Sequence, residues 1–212
     1  MSEIVKVENV TKYFKQEKVL DDVNMNLETG HIYGIVGKNG AGKTVLFKII
    51  AGFIKPSSGK VTVAGKIIGV DRDFPDSLGL IIETPGFLSQ YNAYQNLLYL
   101  ANINNKISKE DIKESIRMVG LDPGSNKKVG KFSLGMRQRL GIAQAIMENP
   151  NLIILDEPMN GLDKKGIEDV KELLLKLKGD GKTILMASHY AEDMEICDEV
   201  FQMEDGKLGD MK

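Results

Sequence analysis

Apolar and polar residues alternate near the start of the chain and give way to longer apolar runs further along. The alternation over residues 23–27 is the pattern of a half-buried strand. The uninterrupted apolar run Leu152–Leu155 is typical of a parallel strand that is covered on both faces. Apolar runs at 32–36 and 183–187 predict two further buried strands. The pattern therefore predicts a sheet with buried central strands, preceded by a strand-rich lobe.

Helical periodicity separates these strands. Apolar residues recur at helical spacing over residues 46–53 and 167–177. Between residues 84 and 132 no strand pattern interrupts the helical spacing, which predicts one amphipathic helix over 94–101 and a second that starts at a capping box, Ser108–Asp111. This arrangement predicts an α/β core with a helical subdomain inserted into it. We expect a single domain over 1–212, with the core and the strand-rich lobe in 1–83 and 135–212 and the helical subdomain in 84–134.

The composition fits an ordinary globular protein and argues against several kinds of function. The 212 residues are 42% hydrophobic and 27% charged, and the formal net charge of −2 provides no global basic field to hold nucleic acid. The single cysteine, Cys197, excludes an intramolecular disulfide and a cysteine-based zinc site. The apolar runs fall far short of the roughly 20 residues that a membrane-spanning helix needs. Any work at a membrane is therefore expected to pass through a partner.

A glycine-rich loop, Gly37–Thr44 (GKNGAGKT), follows an apolar strand and opens a helix. The glycines let the backbone curl so that its N–H groups point at phosphate oxygens, and the helix N-terminus adds the positive end of its dipole. Lys43 would reach the β- and γ-phosphates, and the Thr44 hydroxyl would bind Mg²⁺. The loop predicts a nucleoside triphosphate site, although kinases and GTPases share it. The expected contacts are Gly37, Asn39, Gly40, Ala41, Gly42, Lys43, Thr44 and Val45.

Two adjacent carboxylates follow the buried run Leu152–Leu155. Asp156, at the carboxyl end of this strand, is placed to hold Mg²⁺ through water. Glu157 can polarise an attacking water or accept its proton. A solvated turn also carries paired carboxylates, but Lys43 and Thr44 upstream favour a catalytic pair.

The stretch Phe132–Leu140 (FSLGMRQRL) resembles Leu-Ser-Gly-Gly-Gln, the signature motif of the ATPase subunits of ABC transporters, and the resemblance covers essentially the whole chain. Ser133 and Gly135 keep the residues of the motif. Ser133 can cap a helix whose N-terminus faces an anion, and in the family that anion is the γ-phosphate held by the other subunit. The copy is degenerate at Phe132, Leu134 and Met136.

Three further features match the family. Asn160–Asp163 resembles the loop that crosses the dimer interface. His189 lies where the family has a histidine that contacts the γ-phosphate and helps to hold the water and Glu157. Phe14 aligns with the aromatic residue that stacks on adenine. Tyr13 is the alternative if the register shifts by one, and either ring can instead pack under the strand-rich lobe.

One position departs from the family pattern. Glu83 stands where the family has a glutamine, at the end of the strand before the helical subdomain. We expect Glu83 near Mg²⁺ or the attacking water, with the alternative that it turns away and pairs with a basic side chain. The segment Leu80–Phe87, with Asn96 and Leu97 downstream, resembles the subgroup linked to bacitracin and lantibiotic resistance or immunity.

The resemblance implies a P-loop NTPase (RecA-like) α/β core with an N-terminal antiparallel β subdomain and an inserted α-helical subdomain. It implies a subunit that binds ATP and Mg²⁺, hydrolyses ATP and powers a separate transmembrane permease. The subunit would form a homodimer, or a heterodimer with a second ATPase subunit, at the inner face of the cell membrane. Membrane contact is expected only through the permease, with the surface around Phe87 and Tyr91 docking one of its helices. The cargo would be a peptide antibiotic or another small compound that is exported.

Two other functions compete with this hypothesis. A soluble ABC-type ATPase that acts on ribosomes or DNA normally has two such domains in one chain or long coiled coils, and neither is evident in this sequence. A nucleotide or small-molecule kinase explains the phosphate loop, but it does not explain Ser133, the segment Asn160–Asp163 or His189.

Overall fold

Two β-sheets and five α-helices make up the part of the chain that the structure, a computed structural model, describes: residues 2–84 and 86–210. The smaller sheet is antiparallel, and its spatial order is β2 (Glu17–Glu28), β1 (Glu3–Phe14), β4 (Ser58–Val63) and β5 (Lys66–Ile67). The larger sheet has the order β10 (Lys207–Asp210), β9 (Glu199–Glu204), β3 (Ile32–Val36), β8 (Thr183–Ser188), β7 (Leu152–Asp156) and β6 (Leu78–Ile81). All its neighbours are parallel except β9 and β10.

Helix α1 (Lys43–Ile50) connects the two sheets. Its buried Leu46, Phe47, Ile49 and Ile50 belong to one apolar cluster that takes residues from strands of both sheets. Burying each such side chain contributes about 1.5–3 kcal/mol. Since α1 begins within the glycine-rich loop, this packing fixes the loop against the sheets.

The helical subdomain contains α2 (Ala93–Asn104) and α3 (Lys109–Met118), and α4 (Leu134–Ile146) joins it to the core. The predicted capping box at α3 is confirmed, since Asp111 N donates to Ser108 Oγ at 3.2 Å and Ser108 N donates to Asp111 Oδ2 at 2.8 Å. Gly79 on β6 permits close packing of α4, because a Cβ there would lie 2.0 Å from the carbonyl oxygen of Ala145. Helix α5 (Lys164–Gly179) packs on the same apolar cluster beside β8.

The predicted α/β core with an antiparallel β subdomain and inserted helices is confirmed. The C-terminal hairpin of β9 and β10 was not predicted, although its signal is present in the sequence. Phe201 and Met203 alternate with polar residues and are buried, and Asp205-Gly206 forms the turn that follows. The prediction of domain bounds at 84 and 134 stays a prediction.

Cys197 lies just before β9. Its Sγ is 3.8 Å from Met194 Sδ. Burial raises the pKa of the Cys197 thiol to about 12. A thiol in this setting packs as a small apolar side chain.

Candidate active site

Three strands of the large sheet bring the predicted catalytic residues together. β3, β8 and β7 are parallel neighbours, so their carboxyl ends lie at one edge of the sheet. The glycine-rich loop follows β3, Glu157 follows β7 and His189 follows β8. Strand pairing therefore brings together three segments that are far apart in the sequence.

The glycine-rich loop has the backbone that its sequence predicts. Gly40 and Gly42 have φ angles of 85° and 111°, which favour glycine. Gly42 precedes α1, and no side chain in the described part of the chain caps the first turn of this helix, so its N–H groups are available to an anion. Val45 is half-buried in that turn. A cleft of about 460 Å³ lies at the loop, lined by residues 36–41, His189 and residues 202–205.

Lys43 lies inside the curl of the loop. Its side chain is 6% exposed, and its Nζ donates to the carbonyl oxygens of Gly37 and Lys38 at 2.5 and 3.3 Å. The same Nζ lies 3.7 Å from Glu157 Oε1. The ammonium group therefore sits between the loop and the carboxylate, in reach of a phosphate bound to the loop.

Thr44 and Asp156 form the second polar pair of the site. Thr44 Oγ1 donates to Asp156 Oδ2 at 2.6 Å. Burial raises the pKa of Asp156, as does the neighbouring Glu157 charge, whereas the hydrogen bond from Thr44 lowers it. A bound cation would offset the cost of keeping the Asp156 carboxylate ionised. The Thr44 hydroxyl and the Asp156 carboxylate supply oxygen ligands, which the hard cation Mg²⁺ prefers. No group of three or more His, Cys, Asp or Glu side chains in residues 2–84 and 86–210 could hold a metal alone, so phosphate and water oxygens would complete the shell.

The backbone of Glu157 is held from two sides. Its φ angle of 51° lies in the left-handed region, which is uncommon for a residue with a side chain. Glu157 N donates to the carbonyl oxygen of Ala187 at 2.9 Å. Glu157 O accepts from Asn160 N and from Gln138 Nε2, both at 3.1 Å. Gln138 belongs to the signature stretch but was not predicted to have a functional role, and an amide on the buried face of α4 is the signal that points to one.

The side chain of Glu157 faces His189 and Lys43. Glu157 Oε2 is 2.8 Å from His189 Nδ1. Glu157 Oε1 is buried, and no described atom forms a hydrogen bond with it. The rings of His189 and Tyr190 lie next to each other, with their centroids 3.8 Å apart. A carboxylate oxygen without a hydrogen-bond partner keeps its capacity to accept one from a water that reaches the site.

Ser133 and Gly135 lie in a different cleft from the glycine-rich loop. Ser133 caps α4 as predicted, since its Oγ accepts from Met136 N at 3.2 Å. The cleft lined by Ser133 and Gly135 also contains Gly161 and Asp163, and its described lining shares no residue with the cleft at the loop. The structure therefore does not bring the predicted γ-phosphate contacts of Ser133 and Gly135 to the loop of their own chain.

Leu134, one of the degenerate signature positions, is 55% exposed and covers Gly161. A Cβ on Gly161 would lie 2.5 Å from both Cγ and Cδ2 of Leu134. The segment Asn160–Asp163 therefore needs a glycine at this point to accommodate the leucine.

Phe14 and Tyr13 lie at the exposed end of β1. Their exposed fractions are 43% and 42%. Lys12 Nζ lies 5.1 Å from the Phe14 ring centroid, and Lys18 Nζ lies 5.7 Å from that of Tyr13. The alternative that these rings pack under the β subdomain is therefore wrong. Which of the two stacks on adenine stays a prediction.

Glu83 adopts the alternative arrangement, in which it pairs with a basic side chain, and its expected position near Mg²⁺ or the attacking water stays a prediction. It is exposed, its φ angle is 59°, and its Oε1 pairs with Lys48 Nζ of α1. The left-handed backbone and the lysine on the neighbouring helix account for this placement. Its charge still contributes the smallest of the effects that raise the pKa of Asp156. Pro85, in the same segment, lies outside the described residues.

A second groove, of about 360 Å³, lies between β6 and the helices of the inserted subdomain. Phe87 and Tyr91, on which the docking prediction rests, are half-buried, and Phe87 lines this groove. Phe53, Leu88 and Tyr99 also line it and are 59%, 47% and 50% exposed. Asn96 fixes the groove wall, since it donates to Leu88 O at 3.1 Å and accepts from Leu88 N at 2.8 Å. No helix in the described ranges has both the length and the apolar character to span a bilayer.

Residues 20–160 match the family model described as ABC transporter. The ABC transporter ATP-binding protein YybJ of Bacillus subtilis (strain 168), itself uncharacterized, is 45% identical over 97% of this chain and 94% of its own length. The bacitracin transport ATP-binding protein BcrA of Bacillus licheniformis is 42% identical over 98% of this chain and 69% of its own. The lantibiotic transport ATP-binding protein SrtF of Streptococcus pyogenes is 35% identical over 97% and 89%.

A solved structure is similar over the same length. The ATP-binding cassette MJ0796, as a dimer in a post-hydrolysis state with ADP and Pi, has a TM-score of 0.88 and 26% identity, covering 99% of each chain. The similarity therefore includes the phosphate loop, the inserted helices and the large sheet.

Proposed function

Since this chain belongs to the ABC transporter family, as an ATP-binding and ATP-hydrolysing subunit, we propose that Gly37–Thr44 binds Mg·ATP and that Glu157 directs water to the γ-phosphate. The observation that carries the proposal is the Glu157 carboxylate, 2.8 Å from His189 Nδ1 and 3.7 Å from Lys43 Nζ. These groups place a proton acceptor, a water-orienting ring and a cation around one point.

The chemistry is mainly positioning and charge stabilisation. Lys43 exchanges its carbonyl contacts for phosphate oxygens, and the loop N–H groups hold the remaining ones. Thr44 and Asp156 would hold Mg²⁺, which when bound supplies positive charge to the phosphate oxygens. Glu157 Oε1 accepts a hydrogen bond from the attacking water while His189 keeps the carboxylate oriented.

We assign the adenine contact to Phe14. Phe14→Ala should raise the Kd for ATP about fivefold, because an aromatic stacking contact is worth about 0.5–1.5 kcal/mol. Titration with a fluorescent ATP analogue measures the change. Phe74→Ala is the control, since Phe74 is 55% exposed and lines neither the loop cleft nor the groove beside α2. A loss confined to Tyr13→Ala would instead favour the shifted register.

A separate membrane permease is the proposed partner, at the inner face of the cell membrane. The groove lined by Phe53, Leu88 and Tyr99 supports this proposal, because exposed apolar side chains around a concave surface suit an amphipathic or apolar helix. Asn96 holds one wall rigid in advance, which lowers the entropy lost on docking.

Leu88→Glu together with Tyr99→Glu is expected to lower the membrane-bound fraction of the chain in its host at least tenfold. Each substitution places a charge in a desolvated contact, and central contacts of this kind cost about 2 kcal/mol or more. Sedimentation of lysed cells, with immunodetection, measures the fraction, and ATP binding should be unchanged. Ile103→Glu is the control, because Ile103 is 77% exposed on α2 and lies outside the described groove lining. Membrane recovery equal to wild type would contradict the docking surface.

The proposed cargo is a peptide antibiotic or another small compound, moved outward. The support is the similarity to a bacitracin and a lantibiotic transport protein. Host cells that carry Lys43→Ala should become several-fold more susceptible to such antibiotics, because the motor would no longer be driven. Minimal inhibitory concentrations over a panel of bacitracin and lantibiotics measure this. Unchanged susceptibility to every member would reject this cargo class while leaving the ATPase assignment intact.

A further inference from the structure

Gln138 connects helix α4, which begins after Ser133, to the backbone of Glu157. It lies on α4, five residues after the cap Ser133, and is 8% exposed. Among the buried residues of α4, which the structure describes in full, Gln138 is the polar one. Its Nε2 donates to the backbone carbonyl of Glu157 at 3.1 Å.

This hydrogen bond is made to a residue whose backbone conformation is unfavourable. Glu157 has a φ angle of 51°, and a side chain in the left-handed region costs free energy unless its surroundings hold it. Asn160 N bonds to the same oxygen, but Asn160 belongs to the same turn as Glu157 and can move with it. Gln138 instead belongs to helix α4, which is fixed to the sheet by close packing at Gly79. Its amide therefore ties the Glu157 peptide to an external frame.

We propose that Gln138 is a positioning residue for ATP hydrolysis, which keeps the Glu157 carboxylate aimed at the attacking water. The inference rests on the proposed function of Glu157. It also gives α4 two roles within one chain. Ser133 lies at the start of the helix, and Gln138, five residues later, bonds to Glu157. A displacement of α4 would therefore shift Glu157 through this one hydrogen bond.

Gln138→Met tests the proposal, because methionine keeps the length and approximate volume of glutamine and removes the donor. We expect kcat for ATP hydrolysis to fall about 10- to 100-fold, as for other misplaced catalytic groups, with KM for ATP within about twofold. The melting temperature should fall by about 2–4 °C, as for one lost hydrogen bond. Gln138→Glu keeps the shape and replaces the donor with an acceptor, so the same loss of kcat is expected if methionine impairs folding.

The Glu157→Gln background separates positioning from a structural role. If Gln138 acts through Glu157, adding Gln138→Met should change the residual single-turnover rate of Glu157→Gln less than twofold. Asn104→Ala is the control, since it removes another amide contact near α4, from Asn104 Nδ2 to Glu148 Oε1 at 3.2 Å.

Three results would overturn the inference alone: wild-type kcat in Gln138→Met and Gln138→Glu, an equal fold-loss in both backgrounds, or a loss that Asn104→Ala reproduces. A rise in KM that accounts for the whole loss would also reject it. Absence of ATP hydrolysis by the wild-type protein would overturn both the inference and the proposed function.

Discussion

Lys43→Ala is expected to lower the rate of ATP hydrolysis at least about a hundredfold and to weaken ATP binding. The Lys43 ammonium is nearly buried and lies between the loop carbonyls and the Glu157 carboxylate. Removing it deletes the cation nearest the predicted γ-phosphate, and loss of one such charge-stabilising group typically costs about 10²–10³ in rate. Steady-state phosphate release at saturating Mg·ATP, with nucleotide titration, measures both effects.

Lys48→Ala is the matched control for this experiment. Lys48 lies on the same helix, and its partner is the exposed Glu83, so its removal breaks a surface ion pair of small energetic value. Its hydrolysis rate should stay within about twofold of wild type. If Lys43→Ala bound and hydrolysed ATP as well as wild type, the assignment of the loop would be wrong.

Glu157→Gln is expected to form a dimer only when Mg·ATP is present. Glutamine keeps the shape of glutamate but is a poor base, so ATP should persist in the site. Ser133 and Gly135 line a cleft separate from their own loop. We therefore expect a two-fold dimer in which Ser133 and Gly135 of each chain contact the γ-phosphate bound to the loop of the other chain.

Mass action then couples ATP to assembly, because a ligand that binds the dimer better than the monomer favours association. We expect the dimer dissociation constant to fall at least about a hundredfold with Mg·ATP. Light scattering should show a mass change from 23.4 kDa to twice that value. Mg·ADP, which lacks the γ-phosphate, and the double variant Lys43→Ala with Glu157→Gln should remain monomeric. A monomer with ATP bound would direct attention to a heterodimer with a second ATPase subunit.

Local sequence determines the parts of this site that lie on one continuous segment. The loop Gly37–Thr44 was predictable because glycine spacing, a preceding strand and a following helix together specify one backbone. The cap at Ser133 and the capping box at Ser108 follow from short-range hydrogen bonds. The large sheet was predictable in outline, since apolar runs of strand length alternate with helical spacing.

Contacts between distant segments were not predictable in the same way. The pair Glu83 and Lys48 depends on how the end of β6 lies beside α1, which no local pattern encodes. The contact from Gln138 to Glu157 requires the packing of α4 on the sheet edge. The sequence left open whether the Phe14 ring packs under the β subdomain, because burial at the end of a strand depends on the surrounding fold. The exposure of the ring excludes that alternative.

The half-buried thiol of Cys197 makes this chain convenient for site-specific labelling. Because burial raises the pKa of this thiol to about 12, a much smaller fraction of it is ionised near neutral pH than of an exposed cysteine. Maleimides and disulfide reagents attack the thiolate. A cysteine introduced on an exposed position therefore reacts far ahead of the native one. Distance probes and crosslinks can be placed on a protein whose own cysteine need not be removed.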